Sequence, residues 1–197
     1  MKKNKEIRAI NLTGLENNLE NEKMKVSGHA SVFESPTTLY EFEGVEYKEV
    51  IARGAFDGCD MSQCCLKYNH SNHVPVLARV RGGSLKLSVD AIGLFFEAEL
   101  FDTTVSRDVY SLVKQGGLDK CSFAFTIDDE EYDSQTHTRT IKKIGKLFDV
   151  SLVDIPAYDD TDVSARDYFK LENEKVRALE KAQEEKRKLL KLKLSFK

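Results

Sequence analysis

Between Ser84 and Phe101 apolar and polar residues alternate almost without a break. Leu85, Leu87 and Val89 interleave with Ser84, Lys86 and Ser88. Past Ile92-Gly93, Leu94, Phe96, Ala98 and Leu100 interleave with Phe95, Glu97, Glu99 and Phe101. A helix, with 3.6 residues per turn, would scatter that pattern around its circumference, whereas a strand puts every second side chain on one face. Similar short runs recur at Lys25–Phe33, Gly44–Ile51, Cys64–Tyr68, Val76–Arg81, Cys121–Ile127, Thr140–Leu147 and Asp149–Val153. Gly82-Gly83 between Val76–Arg81 and Ser84–Val89 reads as the turn of a hairpin, and polar Asp128–Thr138 reads as a loop. Many short strands separated by glycine-bearing turns predict a β-barrel or sandwich.

Two segments break the pattern. Val105, Val109, Leu112 and Val113 share one helical face, with Asp102 or Thr103 able to cap the start and Gly116-Gly117 to end it. From about Thr161 the composition shifts, and Lys175–Leu190, rich in Glu, Lys, Leu and Ala without Gly or Pro, is strongly helix-forming. Residues Phe169–Lys197 hold ten Lys+Arg against five Glu, a net +5, which leaves −8 on residues 1–168 of a chain whose total is −3. We therefore expect an acidic body, 1–168, and a basic helical tail, 169–197. Near-neutral overall charge argues against a nucleic-acid binder, and no apolar run approaches the roughly 20 residues that cross a bilayer.

Few residues could carry chemistry. Ser122 opens an aromatic strand, Cys121-Ser122-Phe123-Ala124-Phe125. A serine hydroxyl becomes nucleophilic when a neighbouring base takes its proton, and the ordinary alternative is a buried serine bonded to backbone. His70 follows a short strand within Tyr68-Asn69-His70-Ser71-Asn72-His73, and reads either as that base or as a surface histidine beside a turn. Asp149 is a carboxylate in an otherwise apolar strand, so it needs a partner: a histidine, or else an Arg or Lys. Asp154 and His137 compete for the same third position. Cys59, Cys64, Cys65, His70 and His73 are zinc-competent types, but no C-x-x-C pair is present and the spacing fits no standard zinc site. The four cysteines read as reduced thiols of a cytosolic protein. No phosphate-binding glycine loop is present, and no cofactor or metal is expected.

Taken in order, these segments resemble the prohead (capsid maturation) serine proteases of tailed bacteriophages, relatives of the herpesvirus assemblin proteases. The resemblance is carried by Gly28-His29-Ala30-Ser31-Val32-Phe33, Glu49-Val50-Ile51-Ala52-Arg53-Gly54-Ala55-Phe56, Asn69-His70, Gly83-Ser84-Leu85-Lys86-Leu87 with Asp90-Ala91-Ile92-Gly93-Leu94, Gly117 through Phe125, and Asp149 through Tyr158. It spans about Ile7 to Arg166.

The resemblance implies a β-rich α+β fold, a small β-barrel wrapped by helices, followed here by the charged C-terminal helix. It implies Ser122 as nucleophile, His70 as general base and Asp149 as third member, where the family usually has Glu. Ala124 stands where many relatives have Gly, which matters only if the backbone there needs a positive φ. Oxyanion donors would be the backbone N–H groups of Ala157 or Tyr158, with Arg166 nearby. The implied activity is cleavage of coat-protein and scaffold segments inside the immature capsid, in the host cytoplasm, by a homo-oligomer that needs neither nucleic acid nor membrane. The alternative is a non-catalytic capsid-assembly protein that keeps the protease fold.

Overall fold

The computed structural model describes residues 5–11, 16–18, 23–154 and 158–195. The strands are β1 (Glu6–Asn11), β2 (Glu16–Asn18), β3 (Lys25–Val32), β4 (Thr37–Phe42), β5 (Val45–Ile51), β6 (Cys65–Tyr68), β7 (Ala78–Arg79), β8 (Leu85–Val89), β9 (Gly93–Glu99), β10 (Lys120–Asp133) and β11 (Thr138–Val153). The helices are α1 (Thr104–Lys114) and α2 (Tyr158–Ser195).

The fold is β-rich α+β. One sheet runs β1-β10-β11-β5-β4, with β6 paired to β11 and β7 to β6; the other runs β2-β3-β9-β8. Both contribute to one apolar core: Val26, Leu85, Leu94 and Phe96 from the smaller sheet meet Leu66, Phe123, Phe125, Ile141 and Leu152 from the larger. Alternation in β9 places Leu94, Phe96 and Ala98 inward as expected, and burying a side chain of the size of Leu94 or Phe96 contributes about 1.5–3 kcal/mol; in β8 Leu85 is buried but Val89 is exposed. The expected barrel is not closed. Closure requires the first and last strands to pair, and among the described residues no strand pairing joins the two sheets.

The strand β11 organises the larger sheet. It is 16 residues long and changes parallel partner along its length, β5 beside Thr138–Ile141 and β6 beside Asp149–Leu152. The runs Thr140–Leu147 and Asp149–Val153 are thus one strand. Asp128–Thr138 is no loop either: β10 continues to Asp133 and pairs Asp133 with Thr138, Glu131 with Thr140, around a short turn. Its polar sequence hides a strand end whose one face is wet while Tyr132 on the other packs against Phe169.

The hairpin expected at Gly82-Gly83 is also replaced. Val80–Gly82 form a 3-10 turn, closed by the Gly83 N–H donating to the Val80 carbonyl at 2.9 Å with Gly83 at φ 73°. The chain therefore swings away from β7, and β8 pairs with β9 instead, around Asp90–Ile92. Thr103 caps α1 by accepting from the Ser106 N–H, as its position predicts. The buried face of α1 is Ser106, Val109, Tyr110 and Val113; Leu112, expected on it, is 42% exposed.

Helix α2 begins before the compositional shift and crosses the 168/169 boundary unbroken. Phe169 is fully buried and meets the rings of Tyr40, Tyr47, Tyr132 and Tyr168. Beyond it Leu171 and Leu179 face solvent. No helix among the described residues is long and apolar enough to cross a membrane.

Candidate active site

Three neighbouring strands bring the chemistry together. Ser122 lies in β10 opposite Ser151 of β11, and Asp149 lies two residues before Ser151 on that strand. Residues i and i+2 of a strand share a face, so Asp149 and Ser151 project to the same side. Parallel pairing sets Cys65 of β6 beside Asp149 and Tyr68 beside Leu152, so the chain leaves β6 at the end of the sheet where this side chain lies. Asn69 and His70 follow, both left-handed at φ 51° and 52°. Two consecutive non-glycine residues in that region are strained. They are held by bonds to β11: the Asn69 N–H donates to the Leu152 carbonyl at 3.0 Å, the His70 N–H to Ser151 Oγ at 3.3 Å, and the Asp154 N–H to Asn69 Oδ1 at 3.3 Å.

The result is a connected line. His70 Nδ1 lies 2.5 Å from Asp149 Oδ1, and His70 Nε2 lies 2.7 Å from Ser122 Oγ. Ser122 and Asp149 are 0% and 1% exposed, and the His70 side chain 11%. Burial pushes the Asp149 carboxyl up, but the His70 hydrogen bond and charge, with those of Lys5, outweigh it and hold the group down at about 2. Asp149 thus stays ionised and fixes the imidazole with Nδ1 protonated, leaving Nε2 to face the hydroxyl. The β6–β11 pairing sets Asp149 beside Cys65, and from there its side chain reaches His70.

Of the rivals, Asp154 accepts from the Tyr68 hydroxyl at 2.8 Å. His137 sits at the far end of the β10–β11 hairpin, 3.1 Å from the Tyr132 hydroxyl. Ala157 lies outside the described residues, and Tyr158 is described only as the first residue of α2. Ala124 is buried and is absent from the positive-φ residues, so its methyl group costs nothing there.

Sequence reasoning missed three contributors. Ser151 Oγ, fully buried, donates to Asp149 Oδ1 at 3.0 Å while accepting from the His70 N–H. Its signal was available: a hydroxyl two residues from a buried carboxylate on one strand. Lys5 Nζ donates to Asp149 Oδ2 at 3.0 Å, and the Arg8 carbonyl accepts from the Ser122 hydroxyl at 2.8 Å. No local pattern announces either. On the other face of the sheet, Arg8 and Arg139 form a buried ion cluster with Glu6, Glu49 and Glu130. The cysteines are free thiols, and among the described residues no His, Cys, Asp and Glu side chains gather as a metal site.

A hydroxyl, an imidazole and a buried carboxylate bonded in series have the connectivity that serine hydrolases use, whatever the order along the chain. In sequence, residues 12–193 match the model of the caudovirus prohead serine proteases, and the chain belongs to that family. Among solved structures it is similar to the bacteriophage T4 capsid assembly protease, at 8% identity over 76% of this chain and 98% of that one, with a TM-score of 0.41. No curated protein matches in sequence.

Proposed function

We propose that the chain is a serine endopeptidase of prohead maturation, with Ser122 as nucleophile, His70 as general base and Asp149 as the group that orients and stabilises the imidazole. The observation that carries this reading is the Ser122–His70–Asp149 line, at 2.7 and 2.5 Å. Ser122 Oγ attacks the scissile carbonyl carbon as Nε2 takes the hydroxyl proton. The imidazolium, balanced by Asp149, returns that proton to the leaving amine. A water then enters by the same route: Nε2 removes its proton, the oxygen attacks the acyl carbon, and Ser122 leaves with the proton.

Family membership supports coat-protein and scaffold segments as substrates, cut inside the procapsid in the host cytoplasm. The basic segment 169–197 serves as the handle that brings the protease into the prohead. Co-expression with the phage's own coat protein tests the reading: wild type trims the coat protein and Ser122→Ala does not. One observation favours a second reading, a non-catalytic assembly protein: Ser122 has no exposed surface and bonds backbone. If wild type enters proheads and trims nothing, that reading replaces the first.

A further inference from the structure

The candidate nucleophile is covered by its own chain. Strand β1 lies antiparallel along β10 with Ala9 opposite Ser122. Two groups of this N-terminal segment enter the site: the Arg8 carbonyl at Ser122 Oγ and the Lys5 ammonium at Asp149 Oδ2. A hydroxyl has one proton, so Ser122 can donate to the Arg8 carbonyl or to His70 Nε2, not to both. While that proton points at the Arg8 carbonyl, Nε2 has no proton within reach to remove, and the base and the nucleophile are uncoupled. Lys5 at the same time neutralises the carboxylate whose charge should stabilise the imidazolium. Each contact opposes the proton transfer that the line of side chains is built for.

Strand β1 is also placed to leave. It is six residues long, lies at the edge of its sheet, and among the described residues pairs with β10 alone. It precedes the family-matched residues 12–193. Its clasps are ionic: Arg8 reaches Glu49 at 2.5 and 2.7 Å, and Glu6 reaches Arg139 at 3.1 Å. These pairs fix the register of the strand, and its departure does not leave an unpaired charge in the core: Glu49 and Arg139, left behind, already lie 3.4 Å apart and can pair with each other.

We propose that β1 is an intramolecular strap over the active site, and that its departure both frees Ser122 and opens the β10 edge to the substrate as an extended peptide. The incoming segment pairs antiparallel in the place of β1, taking main-chain hydrogen bonds from the exposed edge. The strap rests on the serine-protease reading above and adds its control: the site is closed until the N-terminal strand is displaced.

The register supplies a lock. Ile10 is opposite Cys121. Facing residues of an antiparallel pair have Cα atoms about 4.5–5.5 Å apart, within disulfide range. In the full-length Ile10→Cys chain, a fluorophosphonate probe reports the state of the site without any natural substrate: the serine oxygen bonds phosphorus, fluoride leaves, and intact mass counts the adduct. With the 10–121 disulfide verified by peptide mapping, we expect labelling of Ser122 at least about tenfold slower in the oxidised than in the reduced chain, because rate follows the fraction open. Equal rates with the disulfide in place overturn the strap while leaving the protease reading intact. No Ser122-dependent labelling in wild type or reduced variant overturns the protease reading and the strap with it. Lys5→Gln, at a side chain 42% exposed, gives a second test that does not threaten folding. Labelling and amide hydrogen exchange along Lys120–Phe125 should both speed up, by about two- to fivefold. Faster labelling with unchanged exchange means that Lys5 acts only through charge, and overturns the strap.

Discussion

Two histidine–aspartate pairs stand among the described residues, His29 Nε2 to Asp90 Oδ2 at 2.8 Å and His70 Nδ1 to Asp149 Oδ1 at 2.5 Å. Asp90 is a turn residue. Its side chain is 42% exposed, and its other oxygen accepts the N–H groups of Ile92 and Gly93, which closes the β8–β9 turn. His29 packs against Phe95, and among the described residues no hydroxyl bonds its ring. Asp149 is buried, shares its oxygens with Ser151 and Lys5, and holds a histidine whose second nitrogen meets a serine. An aspartate beside a histidine is therefore not a site in itself. Burial of the carboxylate, which keeps its charge from being screened, and a hydroxyl on the far nitrogen distinguish the second pair from a turn pin.

The sharpest way to break this contrast is Ser122→Ala. Loss of the nucleophile should cut coat-protein cleavage by about 10⁶ in kcat, while His29→Gln leaves it near wild type; cleavage rates measured on gels decide, and a large loss in His29→Gln would erase the distinction. Next is Asp149→Asn, which keeps the shape but lets the imidazole take the wrong tautomer, for a loss of about 10⁴. The same variant carries a stability signature. Because the folded-state pKa of Asp149 is lowered to about 2, its contribution is fully present above the unfolded value near 3.9 and is lost as pH falls toward 2. Acid unfolding followed by circular dichroism should be flatter between pH 4 and 2 in Asp149→Asn than in wild type.

Ser151→Ala sharpens the comparison more gently. It removes a hydroxyl that positions both Asp149 and the His70 loop, so kcat should fall about tenfold, the equivalent of one hydrogen bond to a charged group. KM should stay unchanged, and Ser151→Thr should recover most of the loss. A rise in KM with kcat intact would make Ser151 a packing residue only. The smallest effect belongs to Asp90→Asn: cleavage is unchanged and the melting temperature drops slightly, because a turn loses part of its cap. A drop in cleavage would show that the exposed pair is coupled to the site.

Much of the frame is legible along the chain wherever one face is buried and the other is wet. Strands β3, β5, β8 and β9 and helix α1 fall where their alternation or their caps put them, although Val89 at the end of β8 is exposed and Glu49 of β5 is buried. Legibility fails where partners lie far away in sequence. The distal half of β10 looks like a loop because Tyr132 is alone in a run of acidic residues, and only the antiparallel pairing to β11 makes it a strand. The hairpin at Gly82-Gly83 fails because Gly83 serves a 3-10 turn, and glycine spacing does not choose between the two. The face of α1 is rotated because Tyr110, not Leu112, finds space in the core. Ser122, His70 and Asp149 are legible as candidate types, but nothing local separates Asp149 from Asp154 or His137.

The residues themselves settle which side chains can act as nucleophile, base and carboxylate, and how strand and helix divide the chain, because periodicity and side-chain chemistry are local properties. Only the tertiary structure decides that the two sheets stay open, that β11 pairs with β5 at one end and β6 at the other, and that Asp149 rather than its rivals meets His70. It alone places Lys5 and the Arg8 carbonyl against residues more than a hundred positions away. Strand registry is a pairwise matter between distant segments, and a hydrogen bond 2.7 Å long depends on that registry being met to within a fraction of a residue.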